Sequence, residues 1–221
     1  MVRHVYERAC AVRNADRVVV ATDDQRIASE VHRFGGEAMM TSSEHASGTD
    51  RVGEIARKIP CHWVVNVQGD LPLLQPGMVE EVIERMRSSW EGSPMGTVCT
   101  PIHSYKTLFD PNVVKVVVNS EEEALYFSRC PIPYRMEGRA MKKGEVWGRQ
   151  HLGLYAYRRN FLLRLAGMPM TPLERAERLE QLRVLERGYR IRVLEWPRGT
   201  VEVNTPADLR LAARSMRAEV S

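Results

Sequence analysis

Four polar clusters fall where apolar segments of this sequence stop, and each suits a particular chemistry. Gln68-Gly69-Asp70 closes the run Trp63-Val64-Val65-Asn66-Val67. A Val-rich run of that length suits a strand buried on both faces, as in a parallel sheet. Open parallel sheets bind ligands at the carboxyl ends of their strands, and a carboxylate delivered there on a glycine turn can hold Mg²⁺ against a phosphate. Upstream, Glu44-His45-Ala46-Ser47-Gly48-Thr49-Asp50-Arg51 offers hydroxyls and backbone N–H groups at a helix start. That arrangement suits a phosphate, ribose or base edge; the plainer alternative is a capped helix. In Tyr126-Phe127-Ser128-Arg129, an arginine after an apolar strand can clamp a carboxylate in bidentate fashion. The fourth cluster pairs His151-Leu152-Gly153-Leu154-Tyr155 with Leu179-Glu180-Gln181-Leu182-Arg183. His4, His32, His62 and His103 read as structural or solvated.

The elements that must position these groups alternate through the first half. Arg3–Ala15 reads as a helix and Arg17–Thr22 as a strand. Asp23 caps a second helix with Ile27, Val31 and Phe34 on one face, ended by Gly35-Gly36. Glu37–Thr41 is a strand and Thr49–Lys58 a helix. Val79, Val82, Ile83 and Met86 mark the buried face of the next helix. Such alternation argues for βαβ units and a parallel sheet. Thr97–Ile102, Val113–Asn119 and Gly153–Tyr157 are strand-like. Pro131–Gln150 reads as an exposed excursion, with Lys142-Lys143-Gly144 at its tip. Thr171–Gly188 reads as one helix, Arg190–Trp196 as a late strand, and Thr205-Pro206-Ala207-Asp208 opens a C-terminal helix.

A chain of 221 residues, 43% hydrophobic and 27% charged, fits one sizeable soluble α/β domain. No apolar stretch approaches transmembrane length, and Met1–Tyr6 is not a signal peptide. Cys10, Cys61, Cys99 and Cys130 lie far apart without metal-ligand spacing, so reduced thiols and a cytoplasmic location are expected. The formal charge of +4 is carried by arginines diluted among acids. Arg175, Arg178, Arg183 and Arg187, interleaved with Glu174, Glu177, Glu180 and Glu186, read as a solvated helix face with i,i+4 pairs. A nucleic-acid footprint would be a less diluted basic stripe with stacking aromatics. Neither nucleic acid nor membrane is an expected partner.

Several strings occur in the order of a known family: Ser47–Arg51, Val64–Asp70, Phe109–Lys115, Ala124–Arg129, His151–Tyr155, Leu179–Leu185 and Val203–Leu209. Together they make the chain resemble 3-deoxy-manno-octulosonate cytidylyltransferases, the CMP-Kdo synthetases of lipopolysaccharide assembly, over essentially its whole length. The resemblance implies a Rossmann-like, glycosyltransferase-A-like three-layer sandwich with a mixed, mainly parallel sheet. It implies the reaction CTP + Kdo → CMP-Kdo + pyrophosphate, with Mg²⁺ as cofactor and a homodimer whose contact involves 131–150. Carried over residue by residue, Asp70 and Arg129 are catalytic, and Asp70 and Asn204 lie at the metal. Ser47, Gly48, Thr49 and Arg51 lie at the nucleotide; Gln68, Arg129, His151, Tyr155, Glu180 and Gln181 line the sugar-acid site.

Three departures accompany this. The family's opening strand and its Arg/Lys loop around the triphosphate have no counterpart, so the single domain is expected to be incomplete at its N-terminus. The absent strand would lie between Arg17–Thr22 and Trp63–Val67. Leu71 stands where the family has an acid before Pro72, and Asn204 where it has Asp. The competing expectations are a non-catalytic paralogue that binds a sugar acid or nucleotide, and a cytidylyltransferase for a related acid sugar.

Overall fold

The structure is a computed structural model that describes residues 1–45, 47–134, 144–197, 199–200, 202–203 and 205–220. In chain order the elements are α1 (Val2–Cys10), β1 (Val20–Thr22), α2 (Gln25–Arg33), β2 (Ala38–Met40), α3 (Gly48–Lys58) and β3 (Trp63–Val67). They continue with α4 (Pro76–Arg87), β4 (Met95–Ile102), α5 (Tyr105–Phe109), β5 (Lys115–Val118), β6 (Ala124–Ser128) and β7 (Gly148–Arg158). The chain closes with α6 (Arg159–Leu165), α7 (Pro172–Glu177), α8 (Leu182–Glu186), β8 (Ile191–Glu195) and α9 (Pro206–Val220).

β7 organises the molecule. β4 pairs along one edge of it, and β3 and β5 share the other; the six-stranded sheet runs β6-β5-β7-β4-β8 with β3 beside β7. The sheet is mixed, as expected, but it is not mainly parallel. β3, β4 and β5 all run antiparallel to β7, and β5 runs antiparallel to β6. Among the described residues, parallel pairing joins β4 to β8 and, in a separate ribbon, β1 to β2. The reason is that β7 returns through the middle of the sheet, which alternation of helices and strands could not reveal. β3 is accordingly half-buried rather than covered on both faces. The β4–β7 register shifts after Thr97, which faces Tyr155, to Val98, which faces Leu152. Gly153 and Leu154 are the extra residues, a bulge that bends β7 where the site begins.

Two apolar clusters flank the sheet. Phe127, Tyr157, Phe161, Leu162, Leu182 and Ile191 belong to one; Met78, Val82, Met86, Trp90, Leu152 and Leu194 belong to the other. α4 buries the expected stripe of Val79, Val82, Ile83 and Met86. Other expectations shift. α1 stops at Cys10 because Arg13 and Asn14 turn to bond Glu80 on α4. Asp24, not Asp23, caps α2 by accepting from the Arg26 N–H, and Asp23 pairs with Arg51 instead. α2 buries Ala28 and Val31, while Ile27 is exposed. The tip Lys142-Lys143 lies outside the described residues.

Thr171–Gly188 is not one helix. α7 ends at Arg178, which takes a left-handed conformation (φ 54°), and α8 begins only at Leu182. At the start of α7 the Thr171 N–H donates to the Glu174 carboxylate at 3.3 Å, the half of a capping box in which the third helical residue reaches back. Arg183 is not on a solvated face either. It is 5% exposed and forms a fork–fork pair with buried Glu174 at 2.6 and 2.7 Å, while also donating to the Met168 carbonyl. The break therefore turns Glu180 and Gln181 inward while Arg183 anchors α8 to α7.

Candidate functional site

Between the β1–β2 ribbon and the six-stranded sheet lies a cleft of about 1970 Å³. β1 and β3 line its two sides without pairing, at the place where the resemblance puts a further strand. One stretch of its wall is apolar, with Val18, Val19, Val20, Val64 and Val65; the other is polar.

Five separate pieces of chain build the polar wall. The loop after β3 brings Gln68 and Asp70, the start of α3 brings Ser47 and Gly48, and the end of β6 brings Arg129. β7 contributes His151 and Tyr155, and the α7–α8 break contributes Glu180 and Gln181. Gly153 makes the wall possible. A Cβ there would sit 3.3 Å from the Gln68 amide, so glycine lets the Gln68 side chain lie across the bulge.

Each expected site residue among the described ones has a definite place. Ser47 caps α3, its Oγ accepting from the Asp50 N–H at 3.2 Å. Thr49 is buried beneath the cleft: its hydroxyl meets Tyr157 Oη at 3.3 Å, and its N–H faces Glu180 at 3.5 Å. The Thr49 side chain therefore supports the wall rather than lining it. Arg51 lines the cleft but is tied to the ribbon side, donating to Thr41 Oγ1 and pairing with Asp23 at 3.0 Å. The Arg129 guanidinium donates to the carbonyls of Glu177 and Pro111, which leaves further N–H groups of its planar fork for a ligand. Tyr155 donates to Gln181 Oε1 at 3.1 Å, and the Gln181 amide nitrogen is buried without a partner among the described residues. Asn204 lies outside the described residues.

Burial sets the electrostatics. Desolvation raises the Glu180 carboxyl above the usual carboxylate range, against hydrogen bonds from Thr49 and Ser47 and the charge of Arg183. The same desolvation raises Tyr155 and holds the buried His151 ring down to about 3, so the imidazole is neutral at ordinary pH. Asp70 is also raised by burial, opposed only by its own backbone N–H, and no cation among the described residues pairs with it. No group of three or more His, Cys, Asp or Glu residues that could hold a metal occurs among the described residues. The donor set still fits Mg²⁺, which keeps several waters and binds through one or two carboxylates and substrate phosphates. Val203 N–H donates to the Asp70 carbonyl at 2.9 Å, and Glu202 lines the same cleft.

Sequence reasoning missed two supporting residues. Lys115 is fully buried, and its Nζ donates to the carbonyls of Asp110, Val113 and Arg129 at 2.5–2.9 Å. Its signal was legible, a lone lysine inside the β-branched run Val113–Val118. Thr97, fully buried beside His151, carried no signal, because threonine is ordinary in a strand.

Comparisons with known proteins give the family and the fold. Residues 1–191 match the cytidylyltransferase family. The chain is 49% identical over 213 residues to a 3-deoxy-manno-octulosonate cytidylyltransferase of Syntrophotalea carbinolica, covering 95% of this chain and 85% of that protein. The protein of the same description from Geobacter metallireducens is 48% identical, with 95% and 84% covered. A solved CMP:2-keto-3-deoxy-manno-octonic acid synthetase complexed with CTP superposes with a TM-score of 0.89 at 41% identity, over 99% of this chain and 88% of that one. HddC from Yersinia pseudotuberculosis, at 9% identity and a TM-score of 0.62, shares the fold.

Proposed function

The chain belongs to the cytidylyltransferase family, and from that premise we propose that it transfers CMP from CTP to 3-deoxy-D-manno-octulosonate (Kdo), releasing pyrophosphate. The α/β nucleotidyltransferase fold expected from the resemblance is borne out. The observation that supports the substrate most directly is the convergence of Gln68, Arg129, His151, Tyr155, Glu180 and Gln181 on one cleft wall. An acidic polyol needs one cation for its carboxylate and several hydrogen-bonding groups for its hydroxyls, and this wall offers both.

In the reaction the anomeric hydroxyl loses its proton to solvent as its oxygen bonds to the α-phosphorus of CTP, the bond to the bridging oxygen breaks, and pyrophosphate leaves in line. Arg129 is proposed to fix the sugar-acid carboxylate, and Glu180 and Gln181 to fix the hydroxyls. Ser47 and Gly48, at the N-terminus of an eleven-residue helix, are proposed to meet the nucleotide. Thr49 holds that turn against Glu180, and Arg51 holds it to the ribbon. Mg²⁺ is the proposed cofactor, with Asp70 as its carboxylate and Asn204 as a second contact. Bound there, the ion would spread the charge that develops on the phosphoryl oxygens. The support for it is a half-buried acid with no cation paired to it among the described residues.

The proposed product suits lipopolysaccharide assembly, and the proposed location is the cytoplasm. Four unpaired cysteines suit a reducing compartment, and no described helix is long and apolar enough to cross a membrane. A homodimer is supported by the stacked, exposed pair Tyr105 and Phe109, with Trp147 edge-on to Tyr105 where the 131–150 segment rejoins the sheet.

Pyrophosphate release from CTP, measured with and without Kdo, tests the reaction. Release that depends on Kdo is expected. Release at the same rate without Kdo, or none with it, would overturn the assignment.

A further inference from the structure

The hydroxyl of Thr97 has one proton and two neighbours. Leu154 O, in the β7 bulge, lies 2.6 Å away and His151 Nε2 lies 2.9 Å away. A carbonyl can only accept, so the Thr97 proton goes to Leu154 O, and the hydroxyl oxygen must accept from His151 Nε2–H. A neutral imidazole carries a single N–H. Nδ1 is therefore bare, and it has no hydrogen-bond partner among the described residues.

The ring cannot easily escape this assignment. Phe127 packs edge-on to it at 5.0 Å between centroids, and Tyr155 lies tilted against it at 5.3 Å. His151 is 5% exposed and Thr97 is 0% exposed. Protonation of Nδ1 would need a second charge-stabilising partner, and desolvation already opposes the cation.

We propose that Thr97 is a positioning residue that locks His151 as the Nε2–H tautomer, making Nδ1 a fixed acceptor for a hydroxyl of the sugar acid. The choice of tautomer is a choice of ligand chemistry. With Nδ1 bare, this point of the wall takes an O–H or N–H donor and rejects a carboxylate or an ether oxygen. The lock deepens the reading of the cleft given above and rests on it for the identity of the ligand.

Two measurements on the full chain test it separately. Long-range ¹H–¹⁵N correlation of histidine-labelled protein at neutral pH reads the tautomer without substrate. A pyrrole-like Nε2 and a pyridine-like Nδ1 are expected for His151; the reverse, or two pyrrole-like nitrogens, would overturn the lock. Steady-state kinetics then read the consequence. In Thr97→Val, loss of one well-placed hydrogen bond should raise KM for Kdo about tenfold, with kcat and the KM for CTP within twofold and the ¹⁵N signature altered. Thr97→Ser restores the hydroxyl and should restore both readouts, which separates the lock from packing. An unchanged KM for Kdo in Thr97→Val, or failure of Thr97→Ser to recover it, would overturn the proposal. An Nε2–H signature in a protein that shows no Kdo-dependent turnover would instead sink the substrate assignment.

Discussion

The two sides of the cleft are held together by opposite means. The polar wall hangs on the six-stranded sheet and its ion pair is interior: Glu174 and Arg183 have side chains 5% and 6% exposed. The facing ribbon is two three-residue strands in parallel, and its ion pair, Arg17–Glu37, has side chains 49% and 39% exposed. A two-stranded sheet is marginal by itself. This one leans on Tyr6 against Phe34, with the Tyr6 hydroxyl accepting from the Glu37 N–H. One wall is rigid because its charges are buried and paired. The other rests on more exposed charge pairs, each worth little.

That contrast can be broken, starting where the effect is largest. Glu174→Ala strips a buried guanidinium of its partner and is expected to cost about 3–5 kcal/mol of unfolding free energy, read from urea melts. A loss below about 1 kcal/mol would mean that the pair behaves like a surface one. Arg129→Ala is expected to lower kcat/KM for Kdo by roughly thirtyfold or more, the effect of leaving a carboxylate unpaired, with global stability retained. Equal losses toward Kdo and CTP would remove Arg129 from the sugar-acid side.

On the ribbon, Gly36→Ala sharpens the contrast. A Cβ there would sit 2.7 Å from the Phe34 ring and 2.8 Å from Val31 Cγ1. Overpacking of this kind costs about 1–3 kcal/mol, and hydrogen exchange should quicken in β1 and β2 while β4 and β7 are unchanged. Equal quickening throughout would show that the ribbon and sheet unfold as one unit.

Glu180 tests the polar wall through pH. Its folded pKa lies above its ordinary value of 4.5, so the folded state binds the proton more tightly. Stability is then lost as pH rises from 4.5 through the folded value. Glu180→Gln should remove that slope, gaining on the wild type as pH increases while Kdo-dependent turnover falls. A parallel pair of stability curves would show that burial does not strain this carboxylate. The smallest effect is expected from Arg17→Ala, with a melting midpoint inside the scatter of the measurement.

The local signals were legible and the long-range ones were not. The cap at Ser47, the stripe on α4 and the order of the site strings could be read because each depends on neighbours a few residues apart. The αL break at Arg178 and the inward turn of Arg183 could not. Alternating Arg and Glu describe a solvated face until Glu174, nine residues away, supplies a buried partner. The antiparallel course of β7 was equally silent, since a strand's own residues do not state which way its neighbours run. Thr97 shows the limit best: its role exists only through Leu154 and His151, more than fifty residues away.

Lys115 has a mechanical consequence. Its single ammonium binds the carbonyls of Asp110 and Val113 ahead of β5 and that of Arg129 at the end of β6. The two ends of that hairpin are thereby riveted into one body, to which the Arg129 guanidinium is fastened again through Pro111. Arg129 cannot retreat without dragging the loop that carries Asn112 into the cleft. On the proposed reading, a clamp that cannot slide measures its guest by the reach of the carboxylate as well as by its charge.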